Sequence, residues 1–401
     1  MKNVTFLENF TAKDTPLAQS GLDTFVKIGV PTKKIENWHY TDLAKIIGTT
    51  SFNPLMAPTS QSLNINGTIK VSIVSGVPAS TDVDSVEGLT IKNIDTASVG
   101  SVAKADMHAM VGINSAFYKD GINIEITKDL SQPLHLAFVN AGDSLAVMPR
   151  LFVTVSEGVK ATIIETYESD NNGKQLINAV SEITIGQGAT LSHYKMQDDK
   201  SDNTHISYTE ANLVAGSTYN QTAIFIDGKA SRNESRVNLN GSNGHVNIRG
   251  LYVAQKSQLI DNTVCVTHNA PDCTSEQLFK GILNDKAKSI FQGKIYVDRI
   301  AQKTDGYQMH RSILLSRDAE VACKPELEIY ADDVKCSHGA TTGEIDAQQL
   351  FYLMTRGIAK ADAKRMLLNS FLVEILNDIE NEEVKDFLTD VSLAKASEIL
   401  G

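Results

Sequence analysis

From Ile122 to about Val334 the chain is written in period-2 runs: Ile122/Ile124/Ile126, Phe152-Val-Thr-Val155, Thr162-Ile-Ile-Glu165, Ile183-Thr-Ile185 and Ile295-Tyr-Val297. Residues two apart on a strand share a face, so each run buries one face and offers the other. No segment of helical length interrupts them, and only a short turn is expected, near Ser275 to Leu278. A tight turn precedes the strand at Glu157-Gly-Val-Lys-Ala161, Gly186-Gln-Gly-Ala189, Ala215-Gly-Ser-Thr218 and Asn243-Gly-His245. These recur at roughly 27–29 residues, a period that points to stacked coils. Asn284-Asp-Lys-Ala287 and Ser316-Arg-Asp-Ala319 continue the series less regularly. Aromatics make up 6% and Trp38 is the only tryptophan, which suits narrow coils filled by small and β-branched side chains. The chain is therefore expected to be mainly β, with a right-handed parallel β-helix core; a β-sandwich is the second choice.

The flanks read differently, giving a mixed, mainly helical N-terminal domain (1–120), the β-helix core (121–345) and a C-terminal helical domain (346–401). In the first, Leu22, Phe25, Val26 and Ile28 have helical spacing before Pro31, Ile35 to Leu43 leads into another short helix, and Met107 to Tyr118 is a third. A short β-like run, Val71-Ser-Ile-Val74, lies between them. In the last, Asp346 can cap a helix that Gly357 ends in the left-handed conformation. Leu367, Phe371, Ile375 and Ile379 then form an apolar stripe. Lys360, Lys364, Asn369, Asp378 and Glu380 lie on the opposite face, and a final acidic segment begins at Glu382. A stack of coils has two bare ends, so these helical flanks are expected to cap it, with the stripe packed on the end of the stack.

A net charge of −11 and the lack of a basic stripe speak against nucleic acid. No apolar run approaches the ~18 residues of a membrane span, and Met1 to Phe10 lacks a signal-peptide core, so no membrane and a cytoplasmic location are expected. The four cysteines, Cys265, Cys273, Cys323 and Cys336, show no C-x-x-C spacing. Cys265 and Cys323 sit in apolar β-runs and read as core. No G-x-x-x-x-G-K-[ST] motif occurs, so any ATP hydrolysis belongs to another protein.

One stretch, PELEIYADDVKCSHGATTGEIDAQQLFYLMTRG over 325–357, resembles the C-terminal signature of the SufB/SufD family of the SUF iron–sulfur cluster assembly system. The order DVKCSHGAT, with cysteine two residues before histidine, is the SufD version. His268-Asn-Ala-Pro-Asp-Cys-Thr-Ser275, Gly293-Lys-Ile-Tyr-Val297 with Ala301-Gln-Lys-Thr-Asp305, and Lys34-Ile-Glu-Asn-Trp-His-Tyr-Thr41 resemble further family elements. At Gln308-Met-His-Arg311 the family pattern has asparagine where this chain has His310.

The resemblance implies a β-helix flanked by helical domains and a non-catalytic scaffold subunit. Its expected partners are a SufB-like subunit, met through the β-helix end, and a SufC-like ABC ATPase. The ATPase would dock on the C-terminal helices, around Phe351, Arg356, Gly357, Ala363, Leu367 and Phe371. It further implies that His338, with Cys336 as a weaker candidate, contributes ligands to transient iron or a nascent cluster at the SufB interface, with no permanent cofactor. Thiolate and imidazole suit iron, yet two protein ligands leave a cluster's usual four incomplete. Glu326, Glu328, Asp332 and Asp333 flank the pair and are read as solvated by default. His268 and Cys273 are weaker ligand candidates, for which a structural turn is the default reading. Isolated, such a subunit could form a homodimer. A SufB-like homodimeric scaffold is the alternative, and a β-helix carbohydrate-active enzyme a more distant one that would need acidic pairs on neighbouring coils.

Overall fold

The computed structural model describes residues 5–54, 63–74, 77–80, 86–94, 99–106, 108–119, 121–140, 142–169, 173–199 and 202–400. The expectations for Met1–Val4, Met107 and Asp120 lie outside them. Two ten-stranded sheets face each other. From Leu134–Asn140 to Val334–Gly343 the chain alternates between them, laying one strand on each per coil, so that successive coils pair in parallel. The result is a β-solenoid of about 7 turns, mainly β with helices at both termini.

Register is exact enough to define columns. Ile163, His193, Gln221, Ile248, Gln277, Gln308 and His338 stack along the first sheet, about 4.8 Å apart. Inward residues fill one continuous core, including Ile163, Leu191, Val237, Val264, Phe279 and Phe291. The turns explain the repeat. Positive-φ residues at Gly158, Gly188, Gly216, Asn243, Asp272 and Lys303 mark one corner of each coil. Lys256 and Asp285 mark the opposite corner. The sequence series had merged the two corners, hence its irregular tail. The turn expected at Ser275 to Leu278 is instead part of the strand Thr274–Leu283.

The helical flanks do not cap the stack. The N-terminal helices, Pro16–Ile28, Leu43–Ile47 and Ala109–Phe117, serve the outer face of the second sheet. Ile206, for example, packs with Phe25, Trp38 and Met110. The C-terminal helices Lys360–Leu376 and Glu382–Leu400 cover the outer face of the first sheet. There Leu368, Leu372, Ile375 and Ile379 meet Ile164, Met196, Ile224, Leu251 and Ile282. The sequence stripe was correct at Ile375 and Ile379; Leu367 and Phe371 are half-buried at its margin. The sheet face decides this, because its outward Ile and Leu residues each gain about 1.5–3 kcal/mol on burial.

Buried ion pairs fasten the flanks. Arg150 and Glu182 are fully buried; Arg150 also donates to Asn114 Oδ1 (3.1 Å) and Ser115 Oγ (3.2 Å). Glu182 accepts from the backbone of Gly100, Val102 and Ala103 at 2.8–3.0 Å. Arg232 bonds Asp261, with Trp38 stacked 4.2 Å from its guanidinium carbon. Removing one partner of such a pair costs about 3–5 kcal/mol.

The solenoid interior is also partly polar. Glu165 accepts from His193 Nε2 (2.8 Å) and Tyr167 OH (2.7 Å). Burial pushes its carboxyl up, but His193 and Lys195 outweigh this and bring it to about 2. Burial lowers the imidazoles of His268 and His310 to about 4. The unfolded chain takes up those protons from pH 6.5 downward while the folded chain refuses them. Stability therefore falls as pH drops from 6.5 towards 4, before Glu165 begins to lose its contribution below 4.5. Thermal melts at pH 7 and 5 should show a smaller drop in midpoint for His310→Asn than for the unaltered protein.

Candidate functional site

The two ends of the solenoid are unlike. At the start, short antiparallel strands form the outer edge of both sheets: Val77–Ser80 on Ile69–Val74, and Leu89–Asn93 on Ile122–Ile126. At the other end the last strands, Glu320–Ile329 and Val334–Gly343, each pair on one side only. Their residues are half-buried or exposed throughout. Two ten-residue strands therefore present free backbone donors and acceptors, the template that pairs with another chain.

Cys336 and His338 lie on this terminal strand, facing the interior above Gly306 and Gln308. The Cys336 side chain packs with Val334 and Leu327 on Ile295, Val297 and Ala301. Burial pushes the Cys336 thiol up, partly offset by the Gly306 backbone N–H. His338, two residues on and on the same face, is exposed. Beneath it, Gln308 is fully buried and donates Nε2 to the Glu326 carbonyl (3.2 Å). The strand thus brings the thiol and imidazole to one open surface, as period-2 geometry requires.

The acidic neighbours are not brought to this surface. Glu326 and Glu328 alternate with the inward Leu327 and point to the outer face, where Glu326 pairs with Lys324 (3.2 Å) and Glu328 with Lys294 (2.5 Å). Asp332 and Asp333 are exposed in the connecting turn. Among the described residues no three His, Cys, Asp or Glu side chains are grouped to hold a metal ion. A cluster here would need ligands from beyond this chain. His268 and Cys273 are buried: His268 Nε2 meets Ser275 Oγ at 2.9 Å while its Nδ1 has no partner among the described residues, and Cys273 Sγ donates to the Gly241 carbonyl at 3.3 Å. His268 ends the strand Leu259–His268 and Cys273 lies in the turn that follows it. Cys323 packs on the core as a half-buried thiol, whereas Cys265, expected in the core, lies on the outer face of the second sheet.

Immediately after the terminal strand, Asp346 accepts from Gln348 N (2.8 Å) and Gln349 N (3.1 Å), starting the helix Ala347–Thr355. No residue of this helix is buried, and Phe351 (69%) and Tyr352 (57%) stand largely in solvent, with Met354 and Met366 also exposed. Arg356 NH2 donates to Tyr352 OH (3.1 Å), Gly357 takes φ +86°, and Ala363 is fully buried. Of these, Phe351 and Arg356 are accessible to a partner, while Ala363 is internal. Tyr352 and Met354 escaped the sequence reading; the signal was an apolar run, Leu350-Phe-Tyr-Leu-Met354, too wide for one helix face. A further residue it missed is Lys280, buried on the first sheet and bonded to Glu374 and to the Phe371 carbonyl (3.0 Å).

The family model described as SUF system FeS cluster assembly, SufBD core domain, matches residues 138–371. The chain belongs to the SufB/SufD family. It is 31% identical to the iron–sulfur cluster assembly protein SufD of Escherichia coli, over 93% of this chain and 91% of that protein. It is 29% identical to a SufBD family protein of Synechocystis, over 90% and 86%. The SufD of Bacillus subtilis is 26% identical over 72% and 67%. The SufBD match spans the solenoid and reaches the helix bearing Leu367 and Phe371. Together with the identity to the Escherichia coli SufD, it makes this a SufD-type iron–sulfur cluster assembly protein of the SUF system. No described helix is long and apolar enough to cross a membrane.

Because His338 is exposed and holds no buried partner, His338→Ala should leave the unfolding free energy within about 0.5 kcal/mol. Denaturant melts of the two proteins check this.

Proposed function

We propose that this chain is a non-catalytic scaffold subunit of a cytoplasmic SufBCD-type complex. It pairs with a SufB-like subunit at its open end and docks a SufC-like ABC ATPase on its exposed C-terminal helix. The unpaired terminal strands of both sheets carry this reading. A SufB-like solenoid with a matching open end would satisfy their backbone groups and bury the half-exposed Leu327, Val334 and Cys336. His338, and secondarily Cys336, would then face the partner across a closed interface. There they could lend ligands to transient iron or a nascent cluster as cargo, with the remaining ligands supplied by the partner or by small molecules.

The helix Ala347–Thr355 supports the ATPase dock, since Phe351 and Tyr352 are large, exposed and carried on an element with no buried residue. Arg356 beside Tyr352 adds a charged rim. Removing the whole segment after Asp346 would strip the first sheet of its cover, so a surface variant is the cleaner probe.

Co-expression with cognate SufB- and SufC-like proteins, followed by size-exclusion chromatography with light scattering, tests the reading. A complex of all three is expected. Ala340→Lys, an inward-pointing charge at the open end, should abolish pairing with the SufB-like subunit and leave a folded chain. Phe351→Asp/Tyr352→Asp should lose the ATPase, with at least a tenfold weaker Kd (~1.4 kcal/mol or more). His338→Ala should retain the complex and lower cluster assembly in cells. A chain that elutes alone, or only as a homodimer in the presence of both partners, would refute the proposal.

A further inference from the structure

On the outer face of the second sheet, strand register places Glu210, Arg236, Cys265, Lys294 and Glu326 in one row across five strands. Arg236 and Lys294 thus stand about 10 Å apart, two strand spacings, with Cys265 between them. Two cavities of about 440 Å³ each open over this row and share Asn37 and Arg236. Thr263, Thr267 and Gln292 complete the floor and side of the first; Lys104, His108 and Tyr208 line the second.

The groove is held in shape. Its wall is the turn Glu36–Trp38, whose Asn37 carbonyl accepts from Arg232 NH2 (2.9 Å) and Gln292 Nε2 (3.4 Å). Arg236 is anchored through Nε to Glu234 (3.0 Å), and Glu234 is itself buried between Arg232 (3.2 Å) and His108 (3.1 Å). Using Nε this way leaves both terminal nitrogens of Arg236 without a partner among the described residues. Lys294 is steadied by Glu328. The two carboxylates ending the row are engaged: Glu210 by Tyr208 OH (2.7 Å) and Asn238 (3.2 Å), Glu326 by Lys324 (3.2 Å).

We propose that this groove binds a small oxyanion-bearing ligand, its phosphate or carboxylate held between Arg236 and Lys294 above Cys265. The planar guanidinium fork offers two parallel donors to such a group, and Lys294 supplies a second charge from the far side. Partial burial strengthens both attractions over their value in water. The thiol is a floor element with no covalent role toward the ligand. Burial pushes it up against the pull of Arg236 and Lys294, so it stays protonated at neutral pH. It is a built-in reporter of what enters the groove, and the inference is independent of the reading of the open end.

The test alkylates the full chain at pH 8.5 with anionic iodoacetate and neutral iodoacetamide, and reads the Cys265 and Cys336 peptides by mass spectrometry. The iodoacetate-to-iodoacetamide rate ratio at Cys265 should exceed that at Cys336 on the order of tenfold, as the flanking Arg236 and Lys294 draw the anion in. It should fall towards the Cys336 ratio in Arg236→Gln and in Lys294→Gln. The second variant leaves the Glu234 anchor intact, so it remains informative if the first fails to fold. Millimolar inorganic phosphate or citrate should slow labelling at Cys265 alone. Protection by phosphate only, or by citrate only, identifies which oxyanion the groove prefers. Equal ratios at the two cysteines, a ratio unmoved by Lys294→Gln, or no protection by either anion would overturn the proposal.

Discussion

Everything in this molecule rests on the hydrogen bonding of one coil to the next. A coil alone has two bare edges on each of two sheets, and backbone groups that are buried and unpaired cost about 1–3 kcal/mol apiece. Stacking in register satisfies them for every coil except the outermost two. The chain treats those two differently. It ends the first in antiparallel strands of 4 and 5 residues, and the last in the ten-residue parallel strands Glu320–Ile329 and Val334–Gly343. The candidate site is not an addition to the fold; it is the place where the stacking rule stops being obeyed. Cys336 and His338 are next to chemistry because they belong to the last column positions.

The two broad outer faces show how the same rule is finished sideways. A sheet buried on its inner side still has an outer side, and here both outer sides carry apolar side chains that need cover. Apolar helices cover the first sheet. Over the second, the N-terminal segments are tied down by charges as well, through Glu182 with Arg150 and Asp261 with Arg232. Such pairs contribute little net stability but are costly to break, so they fix position more than they add strength. The groove beside Asn37 is the space this fastening leaves between the turn and the strands.

Much of the fold was legible in the sequence because it is local and repeated. Period-2 runs and glycine or asparagine turns follow from strand and turn sterics alone, and the DVKCSHGAT stretch located the terminal strand. The flanks were harder to place. Apolar spacing in Leu367 to Ile379 says that a helix needs cover, but not whether an end or a face provides it. The decisive residues, Ile164, Met196 and Leu251, lie far away in the sequence and on the faces of strands whose other faces are also apolar. Cys265 was misplaced for the same reason, since alternation cannot say which of two buried faces is inner. The Arg236–Cys265–Lys294 row was invisible because it exists only across strands, at separations of about one coil.

The contrast between short antiparallel strands at the start and long parallel ones at the finish has a further consequence, for stoichiometry. A solenoid open at both ends could add subunits without limit and grow into a filament. Where one end offers only short antiparallel edges, a second solenoid finds a full-length template at the other end alone, and the joining uses up both such ends at once. Association by this route terminates at two bodies, whether they are alike and related by a twofold axis or different. The short antiparallel strands Val77–Ser80 and Leu89–Asn93, far from any candidate ligand, therefore bear on how many solenoids such an assembly can contain.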